Sequence, residues 1–176
     1  VATGFALAVT YPRAGNLGGG GFMMIHLAEE QRQTFIDYRE TAPRGAERDM
    51  YLDSRGEVVD SLSLRGHLAS GVPGTVAGFD KAHRLYGSAD WEDLVEPSVQ
   101  LADDGFELSE ALSGSINRFA AGRGSRYEAS VAAFSKGGEA YAEGETWRQP
   151  DLARAFREDV ALRFVRVEAE AGDYPQ

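Results

Sequence analysis

The alternation of hydrophobic and polar positions predicts a helix, then a strand pair, at the start of the chain. Apolar residues recur at helical spacing between Ala2 and Val9, and the pattern stops at Pro12, which cannot continue a helix. The apolar run from Phe22 to Ala28 is typical of a buried strand, and Thr34 to Tyr38 predicts a second strand after a polar turn. The two strands therefore predict a β-hairpin.

The rest of the chain shows mainly helical patterns. A helix is expected from about Thr75 to Tyr86, with Thr75 as its N-cap and Gly87 at its end. A short helical turn is expected after Asp90, and Pro97 suits the first turn of a separate helix. Three further segments are expected: a helix over 109–121, a loop over 122–138, and a helix opened by Pro150. This order of elements predicts an α+β fold rather than an alternating βαβ fold.

Composition narrows the class of protein. The 176 residues are 43% hydrophobic and 26% charged, as in one soluble globular domain with a sizeable core. The formal net charge of -10 argues against a nucleic acid or an anionic membrane as partner, and no apolar run is long enough to predict a membrane span. Cysteine is absent, which excludes disulfides, thiolate catalysis and cysteine-based zinc sites.

The common catalytic and phosphate-binding motifs are absent from this sequence or incomplete in it. The glycine block Gly18-Gly19-Gly20-Gly21 lacks the third glycine of a dinucleotide fingerprint and precedes a strand rather than a helix. It either permits close backbone packing or lines a ligand site. No H-E-x-x-H or G-x-S-x-G motif occurs, so a metal centre and a serine elbow are not predicted. His26 is expected in the core and His83 on the solvent side of its helix.

The segment Asp37-Tyr38-Arg39-Glu40 ends the predicted hairpin. Strand alternation places Phe35, Asp37 and Arg39 on one face, so the last two side chains can point the same way. A guanidinium that leaves a buried strand suits bidentate binding of a carboxylate, because its planar donors match two oxygens. The alternative interpretation is a structural ion pair at a strand end.

Four segments together resemble the γ-glutamyltranspeptidase family, and they occur in the family's order and spacing. The resemblance covers residues 1 to about 157. The segments are Ala14-Gly15-Asn16-Leu17-Gly18-Gly19-Gly20-Gly21-Phe22-Met23, Asp37-Tyr38-Arg39-Glu40-Thr41-Ala42-Pro43, Ser70-Gly71-Val72-Pro73-Gly74-Thr75-Val76-Ala77-Gly78 and Pro97-Ser98-Val99-Gln100-Leu101-Ala102-Asp103-Asp104-Gly105-Phe106.

The resemblance implies a fold and a chemistry. The implied fold is of the N-terminal-nucleophile hydrolase type, an αββα sandwich of which this chain supplies part of the large subunit. The implied enzyme is a γ-glutamyltransferase, or glutathione hydrolase, made as a precursor that cuts itself into two subunits. An N-terminal threonine of the small (β) subunit forms a γ-glutamyl acyl-enzyme, which passes to water or to an acceptor amine or peptide. Arg39 matches the family's arginine that grips the substrate α-carboxylate, and no cofactor is implied.

The chain departs from a complete family member in two ways. None of its threonines (Thr3, Thr10, Thr34, Thr41, Thr75, Thr146) lies in a context that resembles the nucleophile segment. Residues 158–176 do not follow the pattern expected after the last predicted helix, so 1–157 is expected to be a partial large-subunit domain and 158–176 a separate C-terminal segment. Together with the uncapped start at Val1, this predicts an internal piece of the large subunit that is inactive alone.

The expected partners are the small subunit from the same precursor and γ-glutamyl substrates such as glutathione, with no nucleic acid. Family habit predicts a periplasmic or extracellular location. Two alternatives stay open from the sequence: a related acylase acting on β-lactam side chains or poly-γ-glutamate, and a catalytically inactive relative that serves as a binding or structural module.

Overall fold

The computed structural model describes residues 1–15 and 17–160, with only the backbone of 159 and 160. The described residues divide into two compact units, one formed by 1–15 and 83–160 and the other by 17–82. Asn16, which belongs to the first family-like segment, and residues 161–176, which make up most of the predicted C-terminal segment, lie outside the described residues.

The described residues contain both helices and short strands, so the predicted α+β class is confirmed. The α-helices are α1 Ala2–Thr10, α2 Thr75–Tyr86, α3 Trp91–Asp104, α4 Glu110–Ala121, α5 Glu128–Phe134 and α6 Pro150–Ala155. The strands are β1 Phe22–Leu27, β2 Arg32–Asp37, β3 Phe106–Glu107 and β4 Thr146–Trp147. Shorter turns of 3-10 helix cover His67–Ala69 and Arg123–Arg126, and a π-helical turn covers Phe156–Val160.

The first unit has a core built on α1. Its apolar stripe buries Phe5 completely, and that ring meets Trp91 and Phe156 edge-on, with centroid separations of 5.4 and 5.8 Å. Aromatic pairs favour this edge-to-face geometry over a face-to-face sandwich. At the end of α1, Gln149 Nε2 donates a hydrogen bond of 3.0 Å to the carbonyl oxygen of Val9. Helices α1, α3 and α6 are therefore joined through one packed centre.

A second cluster of the same unit surrounds Trp147. Leu108 and Ile116 are buried with it, and half-buried rings, among them Phe134, pack on its margin. The pairing of β3 with β4 is antiparallel, with Phe106 opposite Trp147, and it brings the two chain segments into this cluster. Ser109 begins α4 as its N-cap, since its side chain accepts a hydrogen bond of 3.3 Å from the Leu112 N–H.

The second unit begins with the predicted hairpin. Strands β1 and β2 pair antiparallel, from Phe22 opposite Asp37 to Leu27 opposite Arg32. Alternation holds as predicted, because Ile36 is only 3% exposed while its neighbour Phe35 is 54% exposed. The segment from Ala42 to Leu64 is irregular, also as predicted.

Three helix predictions need correction. Pro97 does not begin a separate helix but lies inside α3, because one buried stripe continues on both sides of it and packs against α1 and α6. The predicted loop over 122–138 contains the Arg123–Arg126 turn and α5, which Phe134 anchors by packing on Phe119 and Trp147. Thr75 is the first residue of α2 rather than its cap.

Both histidine predictions are wrong. His26 is exposed, since it falls on the outward face of β1 with Phe22 and Met24. His83 is half-buried: its ring packs edge-on against Trp91 at 5.3 Å, and its Nε2 donates to the carbonyl oxygen of Ala89 at 2.7 Å. An apolar run therefore marks the strand but not which of its faces is covered.

Within 1–15 and 17–160, no helix combines the length and the apolar composition needed to cross a bilayer. In the same residues no group of three or more histidine, aspartate and glutamate side chains is arranged to hold a metal ion.

Candidate functional site

Arg39 lies two residues beyond the end of β2 in the second unit. The hairpin pairing extends past the strand, because Tyr38 N–H donates to Gly21 O at 2.9 Å and Gly21 N–H donates to Tyr38 O at 3.3 Å. The Arg39 N–H donates to Asp37 Oδ1 at 2.9 Å. Asp37 therefore fixes the Arg39 backbone, as an Asx turn does.

Gly20 and Gly74 pack against the Tyr38–Arg39 backbone, and Gly78 packs against the Tyr38 side chain. A Cβ atom on Gly20 would lie 2.3 Å from the Tyr38 carbonyl oxygen, and one on Gly74 would lie 2.1 Å from the same oxygen. A Cβ on Gly78 would lie 2.3 Å from Tyr38 Cγ. Side chains at these positions would overlap the chain that carries Arg39, so close approach requires glycine here.

Hydrogen bonds tie the same segments together. The Gly74 and Thr75 N–H groups both donate to Gly19 O, at 2.9 and 3.0 Å. Thr41 and Val72 exchange backbone hydrogen bonds of 3.3 and 2.8 Å. The glycine block, the Arg39 segment and the turn before α2 therefore form one connected region of the second unit. The fourth family-like segment, 97–106, belongs to the first unit.

The Arg39 side chain is positioned by Phe22 and Glu40. Its Nε donates to Glu40 Oε2 at 3.0 Å, and its Cζ lies 5.7 Å from the Phe22 ring centroid, within cation–π range. The side chain is 61% exposed. The ion pair expected as the alternative interpretation is thus present, with Glu40 as the partner, and it occupies only the Nε edge of the fork.

The Glu40 carboxylate is anchored as well as paired. Hydrogen bonding from its own backbone N–H, and then from Arg39, holds the pKa of Glu40 below its usual value, and the Gly20 N–H adds to the effect. Glu40 is therefore ionised at neutral pH. Because one edge of Arg39 is held by this fixed anion, the two Nη groups remain available to a second carboxylate.

The sequence predicts Arg39 as a site residue and the glycine block as a loop. It does not predict the close packing of Gly74 and Gly78 against Tyr38, and these two glycines are called the glycine walls below. Their spacing of four residues, which puts two small residues on one helix face, is the signal that would have found them. Arg39 is the one candidate site residue that the sequence offers. In the structure it lies beside the glycine block, since a Cβ on Gly20 would be 2.9 Å from Arg39 Cα.

Comparison with known proteins places these features in a family. The model of the family described as gamma-glutamyltranspeptidase matches residues 1–160. The chain is 46% identical over 156 residues to the glutathione hydrolase proenzyme of Escherichia coli strain K12, a match that spans 89% of this chain and 27% of that protein. The chain therefore spans about a quarter of the length of the curated relatives it matches.

Solved structures support the same family and fold. The γ-glutamyltranspeptidase of Helicobacter pylori superposes with a TM-score of 0.86 at 41% identity, over 93% of this chain and 47% of that one. A cephalosporin acylase from Bacillus halodurans has a TM-score of 0.74 at 19% identity, over 96% of this chain and 32% of that one, and shares the fold alone. These neighbours confirm the predicted N-terminal-nucleophile hydrolase type of fold. With its matching sequence model, high identity and shared fold, this chain belongs to the γ-glutamyltranspeptidase family.

Proposed function

We propose that this chain is part of a γ-glutamyltransferase/glutathione hydrolase, and that Arg39 binds the α-carboxylate of the γ-glutamyl donor. Family membership and the identity to a protein named a glutathione hydrolase proenzyme support the reaction class. The observation that carries the role of Arg39 is its hydrogen bonding: Glu40 Oε2 accepts from Nε, and no Nη group makes a hydrogen bond to the residues that the structure describes.

In the proposed reaction this chain binds and orients the donor rather than attacking it. The threonine nucleophile belongs to the small subunit of the same precursor, and its α-amine serves as the base. The acyl-enzyme passes its γ-glutamyl group to water or to an acceptor amine or peptide. Arg39 contributes by holding the glutamyl end in register, so that the scissile amide lies within reach of the nucleophile. The chain alone is proposed to be inactive.

The division of the chain is part of the same proposal. Residues 1–157 contribute to the large-subunit domain, and 158–176 form a C-terminal segment outside its pattern. We further propose export to the periplasm or cell exterior, in keeping with the family resemblance. Cell fractionation tests the location, and an activity found only in the cytosolic fraction would contradict it.

Because the Arg39 side chain is exposed, strong binding of a carboxylate depends on other segments of the protein. An ion pair in water contributes little, because solvent screens the charges and the long side chains lose entropy. With the side chain 61% exposed, strong binding requires that other segments of the protein exclude water around the Nη edge. The glycine walls supply the other requirement, a backbone that does not shift when the donor binds.

Kinetics of the whole protein on γ-glutamyl-p-nitroanilide test the proposal. Arg39→Ala is expected to raise KM strongly and to lower kcat less, because the carboxylate contact is alike in the ground and transition states. Arg32→Ala is the matched control, since it removes the same charge from the same hairpin and from an exposed side chain. Normal kinetics in Arg39→Ala would remove Arg39 from the site.

The identities favour this reaction over the acylase alternative. Among the solved structures, sequence identity is 41% to the γ-glutamyltranspeptidase of Helicobacter pylori and 19% to the cephalosporin acylase of Bacillus halodurans. Substrate profiling separates the two, since the proposal expects release of glutamate from γ-glutamyl amides and no release of a β-lactam side chain. A whole protein without any γ-glutamyl hydrolysis would instead fit an inactive relative.

A further inference from the structure

A cavity of about 410 Å³ lies in the first unit, beside α4 and α5. Its volume falls within the range of roughly 300–1,000 Å³ that small-molecule sites occupy. Its apolar walls include Ile116, which is 4% exposed, and the edge-to-face pair of Phe119 and Phe134, with centroids 5.1 Å apart. Such walls suit an aromatic or aliphatic body.

Two arginines, Arg13 and Arg123, also line this cavity. Neither guanidinium has an ion-pair partner among the residues that the structure describes. Both residues are exposed, so water screens the repulsion between them, and each guanidinium can donate hydrogen bonds to an anion placed in the cavity.

Both arginines are carried by ordered turns. The turn that bears Arg13 is closed by the Gly15 N–H, which donates to Tyr11 O at 2.9 Å. The turn that bears Arg123 follows Gly122, whose carbonyl oxygen accepts a hydrogen bond of 2.8 Å from Ser125 Oγ. The two cationic groups therefore project from fixed backbone, which lowers the entropy cost of binding.

The local charge differs from that of the whole chain. Among the described residues, the cavity lining includes two arginines and no acidic residue, in a protein whose formal net charge is -10. A local excess of positive charge beside an apolar cavity attracts a ligand that combines an anionic head with an apolar body.

We propose that this cavity binds a small apolar carboxylate, with Arg13 and Arg123 holding the carboxylate and the phenylalanine pair holding the body. The site is independent of the proposed role of Arg39. Arginine suits this task because its planar fork matches the two oxygens of a carboxylate.

Titration of the purified whole protein with 4-phenylbutyrate, with binding followed by the NMR shifts of backbone amides, tests the proposal. Saturable binding in the millimolar range is expected for a ligand of this size, with shifts of the Gly122 and Gly124 amides. Arg13→Gln and Arg123→Gln are each expected to weaken binding by roughly threefold to tenfold. Arg126→Gln is the matched control, because it removes the same charge from the same short turn but does not line the cavity.

Two further arms separate the anionic head from the apolar body. The amide 4-phenylbutanamide has nearly the same shape without the charge and is expected to bind several times more weakly. Ser115→Phe fills the cavity while leaving its charges unchanged, and is expected to abolish binding. The proposal is wrong if 4-phenylbutyrate shows no saturable binding, if the amide binds equally well, if Arg126→Gln weakens binding as much as Arg123→Gln, or if inorganic phosphate alone displaces the ligand completely.

Discussion

The glycine wall at position 74 gives a prediction that follows directly from the geometry. In Gly74→Ala the new Cβ would lie 2.1 Å from the Tyr38 carbonyl oxygen, whereas such contacts are essentially never shorter than 3.0 Å. The difference, 3.0 - 2.1, requires a shift of about 0.9 Å in backbone that two hydrogen bonds to Gly19 O hold in place. Neither side of this contact is a flexible side chain that can rotate away.

The expected cost is that of overpacking, about 2 kcal/mol of unfolding free energy. With a urea dependence of about 1–3 kcal/mol per molar, the unfolding midpoint should fall by roughly 1 M. Far-UV circular dichroism against urea measures it. Gly45→Ala is the control, because a Cβ there meets no atom within 4 Å and the substitution should be neutral or slightly stabilising.

Gly78→Ala also tests close packing against Tyr38, but here the higher helix propensity of alanine opposes the loss of stability. Alanine at this helical position should gain about 1 kcal/mol in propensity over glycine. Its Cβ, however, would lie 2.3 Å from Tyr38 Cγ, so a net loss of stability is expected. If Gly74→Ala and Gly78→Ala both unfold at the same urea concentration as Gly45→Ala, Gly74 does not constrain the Tyr38–Arg39 backbone and Gly78 does not constrain the Tyr38 ring.

Three other outcomes follow from the structure. Ser109→Ala should lose about 1 kcal/mol of unfolding free energy, because it removes the N-cap acceptor of the Leu112 N–H, and equal stability in thermal melts would contradict this. Pro97→Ala should raise stability by about 1–2 kcal/mol, since it restores a backbone donor inside α3, and a loss of helicity would show that proline is required there. Pairing lowers the pKa of Glu145 below 4.5, so the Lys136–Glu145 contribution should be present above that pH and disappear as pH falls through the lowered value. Glu145→Gln should accordingly lose stability at pH 7 and match the wild type in strong acid, as urea midpoints against pH will report.

Sequence patterns predicted the local elements where one physical signal dominated. Alternation predicted the hairpin, the glycine stop at Gly87 predicted the end of α2, and the helical pattern over 109–121 matched α4 to within a residue. The errors arose where tertiary packing overrides a local signal. Pro97 reads as a helix start, but burial on both sides keeps α3 continuous. Helix α5 has only seven residues, too few to be stable without the packing of Phe134.

In the candidate site, too, the sequence predicts the features set by local pattern and misses those set by tertiary packing. Arg39 was identified because its segment resembles a family motif, and its position after β2 followed from the strand pattern. The glycine walls were not predicted because they depend on the approach of three segments far apart in sequence. Glu40 follows Arg39 in the sequence, but its role in holding Nε depends on a rotamer that the sequence does not specify.

The claim that Arg39 binds the donor α-carboxylate is tested most directly by deleting each partner in turn. kcat/KM is measured in the whole protein for γ-glutamyl-p-nitroanilide and for 4-aminobutyryl-p-nitroanilide, which lacks the carboxylate, with wild type and Arg39→Gln. In the wild type, loss of the carboxylate should lower kcat/KM by roughly tenfold to a hundredfold, and in Arg39→Gln the two substrates should react at similar rates. Equal discrimination by the two proteins would show that another group recognises the carboxylate.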